Sequence, residues 1–274
     1  MKNHFYTSYA GNKRNEVERI YETINFENID TIVEPYCGSC ALSYYIWSLN
    51  KDKNYKYVLN DADPYLIPIF KSIIEGTYEE LENEVNEIRE RVYSKVYDNF
   101  DEAKKIYLSY FKSDNLAGRL FCKKYMKLRE GMMPTGRDIP RLKKEFKFND
   151  YPIFYFLRVA DIELHNDEAN RIINKYDNSN AFIFLDPPYL GSCNNFYSRG
   201  ADKELEDAYL PLYEKGLKNY NCKILLCHEL NWFFKLMFKD YINEDEKYSK
   251  RYETNLGSNF KRKNDTNHIC IKNF

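Results

Sequence analysis

The sequence predicts an α/β fold: a mostly parallel sheet, interrupted by a mostly helical inserted module and closed by a C-terminal antiparallel hairpin. Three observations carry this. Short, mostly apolar stretches, Thr31-Ile32-Val33, Tyr55 to Leu59, Ala181 to Leu185 and Cys222 to Cys227, have the length of strands, and the unbroken Ala181 to Leu185 that of a strand buried on both faces. Stretches with helical spacing follow the first two, as strand-helix units require. Between the second unit and the later ones lies a long charged stretch without such runs, so the module occupies residues 75–154 and the sheet domain residues 1–74 and 155–274.

The elements follow in order. Asn15 to Ile24 repeats Val17, Ile20 and Ile24 at helical spacing, behind a polar-aromatic start from Phe5 to Arg14. The first strand runs into Glu34-Pro35-Tyr36-Cys37-Gly38-Ser39-Cys40. The helix Ala41 to Leu49 then places Leu42, Tyr45, Ile46 and Leu49 on one face. A strand, a small-residue turn and a helix let backbone N–H groups approach a ligand, although one glycine is not GxGxxG. The second strand ends in Asn60-Asp61-Ala62-Asp63-Pro64. There Asp61 stands where nucleoside-binding folds keep an acid for ribose hydroxyls, and Asp61 or Asp63 also suits a cap for the helix Tyr65 to Ile74.

Glu75 to Glu102 holds ten acids against three bases, with Leu81, Val85, Ile88, Val92 and Val96 keeping a helical stripe, so it reads as a solvated helix. From Arg119 to Lys147 the sign reverses. Ten bases face three acids, with Phe121, Tyr125, Phe146 and Phe148 interleaved, and the cluster including Arg119, Lys123, Lys124, Arg137, Arg141, Lys143 and Lys144 reads as a nucleic-acid surface or as a solvated helical face. Gly131 to Arg137 is a loop or tight turn able to carry Arg137 to a groove or phosphate.

Arg158 to Leu164 reads as a third strand with Asp161 inside it or at its end, and Asp167 as a cap for the helix through Ile172 and Ile173. The fourth strand, Ala181 to Leu185, delivers Asp186-Pro187-Pro188-Tyr189. The prolines end the strand and hold an acid and a ring at its carboxyl end, where open α/β sheets bind ligands. Carboxylate and prolyl carbonyl oxygens beside an aromatic face suit a planar substrate bearing an amino group. Leu190 to Lys203 reads as a loop able to close over a site, with Tyr197 as a candidate for the base pocket. Ala208 to Leu217 is helical, Cys222 to Cys227 is a strand ending at a polar His228-Glu229 pair, Asn255 to Thr266 is a surface hairpin loop and His268 to Ile271 a last strand. Tyr241 to Tyr252 carries no clear period, and His165 reads as a surface or packed histidine.

The net charge of −1 confines any nucleic-acid surface to local clusters. Seven cysteines at irregular spacing in a chain of 274 residues suggest a reduced, intracellular protein. No apolar run approaches the ~20 residues that span a bilayer, so no membrane partner is expected. Cys37-Gly-Ser-Cys40 matches a redox CxxC, which would explain neither the basic stretch nor the strand-end Asp186; a zinc site lacks further ligands and no metal is expected.

In combination these elements resemble the D12-class, Dam-like family of DNA adenine-N6 methyltransferases. Tyr9-Ala10-Gly11-Asn12-Lys13-Arg14 is similar to the family's opening, Glu34 to Cys40 to its glycine turn, Asn60-Asp61 to its second acidic motif, and Asp186 to Tyr189 to its catalytic motif without change. Asn12 and Cys40 stand where the family has glycines. The resemblance implies a Rossmann-like class I methyltransferase sheet and S-adenosylmethionine as cofactor. It also implies methyl transfer to adenine N6 in double-stranded DNA by direct attack on a flipped base, with Asp186, Pro187, Pro188 and Tyr189 as the catalytic residues. The cofactor set it implies is Tyr9, Ala10, Gly11, Lys13, Glu34, Pro35, Tyr36, Gly38, Asp61, Asp161 and Asp186. Lys13 and the Tyr9 loop would lie near the methionine part, Asp61 on the ribose and Asp161 near the cofactor adenine. A cognate restriction endonuclease is a candidate partner, and monomer and homodimer are both compatible. A non-catalytic nucleic-acid-binding subunit, or methylation of RNA adenine or a protein amide, are the alternatives.

Overall fold

A computed structural model of the chain describes residues 5–6, 13–111, 113–125, 139–189, 208–255 and 261–274. Among these, seven strands form one sheet in the order β3-β2-β1-β4-β5-β7-β6. The strands are β1 (Thr31–Glu34), β2 (Lys56–Asn60), β3 (Asp161–His165), β4 (Ala181–Leu185), β5 (Lys223–Glu229), β6 (Tyr248–Asn255) and β7 (Lys261–Lys272). Neighbours from β3 to β5 pair in parallel, whereas β7 is antiparallel to both β5 and β6, as the expected C-terminal hairpin requires.

Strand alternation sends successive side chains to opposite faces, and the core divides accordingly. Ile32, Tyr57, Leu59, Phe182, Phe184, Leu225 and Cys227 pack with the helices α1 (Val17–Glu22), α2 (Ala41–Leu49) and α3 (Leu66–Glu75). Val33, Val58, Ile183, Leu185, Ile224 and Leu226 pack with α9 (Ala169–Lys175) and the helices Leu210–Lys215 and Trp232–Phe238. Every residue of β4 is buried, which is why its sequence is a continuous apolar run.

Between α3 and β3 the chain builds α4 (Tyr78–Val96), α5 (Phe100–Phe111), α6 (Leu116–Tyr125), the short α7 (Ile139–Leu142) and α8 (Pro152–Val159). The five apolar positions of α4 anticipated from spacing are all buried. At Gly118 a side chain would come within 2.5 Å of the Tyr110 ring, so α5 and α6 can approach this closely only over a glycine. Phe5 and Tyr6 meet Phe70 on one side and Phe146 and Phe148 on the other, making the insertion's core continuous with that of the sheet.

Three sequence expectations are corrected. Arg158 and Val159 belong to α8, which Pro152 starts and whose Ile153, Phe154, Phe156 and Leu157 are buried; the chain turns extended only at Ala160, and β3 begins at Asp161. Residues in the supposed loop Asn255 to Thr266 are largely strand, since β6 reaches Asn255 and β7 starts at Lys261. Finally, Cys227 and Cys270 form a disulfide, against the expectation of a fully reduced chain. They are directly opposed on β5 and β7, with Cα atoms 4.2 Å apart. Cys37, Cys40, Cys122 and Cys222 are free and buried.

Candidate active site

The strand order reverses direction between β1 and β4, and such a switch point opens a crevice at the carboxyl ends of the strands. Glu34 ends β1, Asn60 ends β2 and Asp186 follows β4, so three polar residues of the motifs meet there. Asn60 ties the strand ends together. Its Nδ2 donates to the carbonyls of Pro35 (2.8 Å) and Asp167 (3.1 Å), and its Oδ1 accepts from the Asp167 N–H (2.9 Å).

The turn after β1 is held by its neighbours. The Cys37 N–H donates to the Asn60 carbonyl at 2.8 Å, and the Gly38 N–H donates to Asp61 Oδ2 at 2.8 Å. Asp61 Oδ1 accepts from the Asp63 N–H at 2.9 Å. Burial raises the Asp61 carboxyl pKa, and the two backbone donors oppose that shift. Gly38 and Cys40 both have positive φ, 46° and 50°. Cys40 thus occupies, at the start of α2, a conformation that favours glycine, with its side chain fully buried.

Glu34 is 2% exposed and accepts from the Ser43 N–H at 2.7 Å. Burial pushes its carboxyl pKa up to about 7, with the nearby Asp186 charge adding to the rise. Lys13, 3% exposed, places Nζ 2.5 Å from both Asp186 oxygens. The same ammonium lies 5.1 Å from the centre of the Tyr189 ring. The buried Lys13 ammonium meets both oxygens of the partly exposed Asp186 carboxylate and so orients it as an acceptor. The Tyr209 hydroxyl donates to the Pro188 carbonyl at 3.0 Å, while among the described residues nothing donates to the Pro187 carbonyl.

The structure therefore brings together Lys13, Glu34, Pro35, Tyr36, Gly38, Asp61 and Asp186 to Tyr189. Asp161 does not join them. It opens β3 opposite Lys56, at the amino edge of the sheet, and is exposed; the acid just beyond the carboxyl end of that strand is Asp167. Tyr9, Ala10, Gly11, Arg137 and Tyr197 lie outside the described residues. Sequence reasoning missed Asn60 as a brace, and Tyr209, His228 and His268 around the catalytic motif. The only sequence signal for Asn60, His228 and His268 was position at or near a strand end, and Tyr209, at the start of the helix Leu210–Lys215, carried none.

The basic cluster divides in two. On α6, Arg119 lies over the rings of Tyr65 (4.6 Å) and Phe111 (5.5 Å), Lys123 pairs with Asp63, and Lys124 lies 4.4 Å over the Tyr151 ring and donates to its hydroxyl. Burial lowers the Lys124 pKa to about 8. These three are engaged within the protein, whereas Arg141, Lys143 and Lys144 are exposed, with Lys144 paired to Asp150 at 2.8 Å. Among the described residues no helix is long and apolar enough to cross a membrane.

Two comparisons bear on this arrangement. The model of the D12 class N6 adenine-specific DNA methyltransferase family matches residues 9–253. The chain is also similar to a type II methyltransferase, M.CviBI of Paramecium bursaria Chlorella virus NC1A, at 26% identity over 279 residues, covering 97% of this chain and 98% of that protein. The mixed sheet, parallel except for its C-terminal hairpin, is consistent with a class I methyltransferase fold.

Proposed function

Because the chain belongs to the D12 class of N6 adenine-specific DNA methyltransferases, we propose that it transfers a methyl group from S-adenosylmethionine to the N6 of a flipped adenine in a specific DNA sequence. The observation that carries this is the Lys13–Asp186 pair beside Tyr189 at the switch point. The cofactor, when bound, supplies an electrophilic methyl on a positively charged sulfur. The residues present fit it: Asp61 is a braced, nearly buried carboxylate at the end of β2, suited to ribose hydroxyls, and Glu34 is a buried acid suited to a cation. Tyr36, Gly38 and Pro35 line the turn between them. Asp167 takes the place first given to Asp161 near the cofactor adenine, because only Asp167 follows the carboxyl end of β3.

The adenine amino group is a poor nucleophile, since its lone pair is delocalised into the ring. Asp186 and the Pro187 carbonyl accept hydrogen bonds from its two N–H groups, which favours a tetrahedral nitrogen aimed at the methyl group. As the N–C bond formed and the S–C bond broke, the cofactor would leave as a neutral thioether and one N6 proton would pass through Asp186 to solvent. Lys13, bonded to both Asp186 oxygens, holds the carboxylate fixed for that contact. Tyr189 stacks on the extruded base; flipping costs a few kcal/mol, and base–aromatic stacking returns about 1–3 kcal/mol. Arg141, Lys143 and Lys144 on the exposed side of the insertion meet DNA phosphates. The relative's type II designation makes protection of DNA from a cognate endonuclease the fitting role.

Base-resolved mapping of N6-methyladenine on DNA treated with the protein and cofactor tests the proposal. It predicts methylation at adenines sharing one sequence. Methylation of RNA alone, or of cytosine, contradicts it.

A further inference from the structure

Tyr189 is held by two buried histidines that the mechanism above does not use. The His228 ring lies 4.9 Å from the Tyr189 ring and the His268 ring 5.3 Å from it, and both histidines are 0% exposed. They reach it from different faces of the sheet. Cys227 and Cys270 are bonded and so share a face; alternation puts His268, two residues from Cys270, on that face and His228, one from Cys227, on the other.

Each histidine is itself fixed. His228 Nδ1 is bonded to the Glu229 carbonyl, which makes Nδ1 the protonated nitrogen of the neutral ring. Its ring stacks on Phe234 at 4.3 Å and 6°, and meets Tyr209 edge-on at 5.3 Å. Tyr209 also holds the Pro188 carbonyl, so one aromatic block supports two consecutive residues of the motif. His268 Nδ1 lies 3.4 Å from the Tyr189 hydroxyl and its Nε2 lies 3.1 Å from Thr266 Oγ1. Both hydroxyls can donate or accept, so Tyr189 and Thr266 can each bond one ring nitrogen of His268. Burial pushes the His228 pKa down to about 4, keeping that ring neutral.

We propose that His228 and His268 are positioning residues for the target base: His268 holds the Tyr189 hydroxyl and His228 holds its ring, setting the ring plane on which adenine stacks. The proposal rests on Tyr189 being the stacking residue. Fixing that plane aims the stacked adenine for transfer, so the effect is read in the transfer rate, while DNA affinity, dominated by phosphate contacts, changes little.

The test uses the full chain, duplex DNA carrying its target sequence and single-turnover methyl transfer. Asparagine at position 268 presents a polar atom near that of Nδ1, and glutamine one near that of Nε2. His268→Asn should therefore stay within about threefold of the native rate, while His268→Gln falls about tenfold, as for loss of one hydrogen bond. In a Tyr189→Phe background the two variants should agree within about twofold. Dissociation constants for cofactor and DNA should change less than about twofold throughout, which also reports folding. For the ring contact, His228→Phe should stay within about threefold and His228→Ala fall about tenfold. Equal rates for His268→Asn and His268→Gln, or a gap that persists in Tyr189→Phe, overturn the role of His268; equal rates for the two His228 variants overturn that of His228. A Tyr189→Ala protein with the full native rate overturns the stacking reading and this proposal with it, whereas an impaired Tyr189→Ala alongside equal His268 variants overturns the histidine role alone.

Discussion

Replacing Glu34 by glutamine should remove a pH dependence of stability that burial creates. The folded-state carboxyl pKa is raised from 4.5 to about 7. Between those values the folded chain holds a proton that the unfolded chain releases, so more protons are bound folded than unfolded and stability falls as pH rises. At about 1.4 kcal/mol per unit, the loss between pH 4.5 and 8 is about 3 kcal/mol. Glutamine keeps an oxygen for the Ser43 N–H, which Glu34 holds at 2.7 Å, and cannot ionise. Its extra N–H group lowers stability by an amount independent of pH, so the slope and not the absolute stability is the readout. Urea unfolding at pH 5 and pH 8 should show native protein losing about 2.5 kcal/mol more than Glu34→Gln across that interval. Parallel pH curves would refute the assignment of a buried, largely protonated Glu34. A bound sulfonium should draw that proton off, so calorimetry near pH 6.5 in buffers of different ionisation enthalpy should detect proton release with cofactor binding.

Lys123→Met should lower stability by about 1–2 kcal/mol through the half-buried Asp63 partner, without changing the salt dependence of DNA binding. Lys143→Met should do the reverse, reducing the slope of log affinity against log salt by about one; equal slope changes in thermal-melt and salt-titration comparisons of the two would contradict the division of the basic cluster. Asp61→Asn should weaken S-adenosylmethionine binding by about tenfold or more, while Asp161→Asn at the opposite sheet edge should change it less than about twofold, as read by calorimetry. Cys40→Gly should be more stable than Cys40→Ala by about 1 kcal/mol in urea unfolding, because alanine keeps a Cβ at φ 50° and glycine does not.

Elements buried on both faces were legible because burial forces them to be continuously apolar; β1, β2 and β4 are of this kind, and with them came Glu34, Asp61 and Asp186. Edges were not legible. β3 is half-exposed and begins directly after the apolar α8, so the run through Arg158 concealed a change from helix to strand and moved Asp161 to the wrong end. Much of β6 and the start of β7 is polar, and the hairpin is recognisable only through its pairing. The basic stretch was legible as charge but not as function, because Arg119, Lys123 and Lys124 spend their charge on rings and acids distant in sequence. His228 and His268 looked like ordinary strand-end polar residues, since their common partner, Tyr189, is 39 residues from one and 79 from the other.

The most direct measurement is transfer of labelled methyl from S-adenosylmethionine to duplex DNA, comparing native protein with Asp186→Ala under single-turnover conditions. The native chain should produce N6-methyladenine. Asp186→Ala should bind cofactor within about tenfold of native yet transfer at least about a hundredfold more slowly, because the acceptor held by Lys13 is lost. Undiminished transfer by Asp186→Ala, or no N6-methyladenine from native protein that binds cofactor and DNA, would contradict the placement of the reaction at the Lys13–Asp186–Tyr189 cluster.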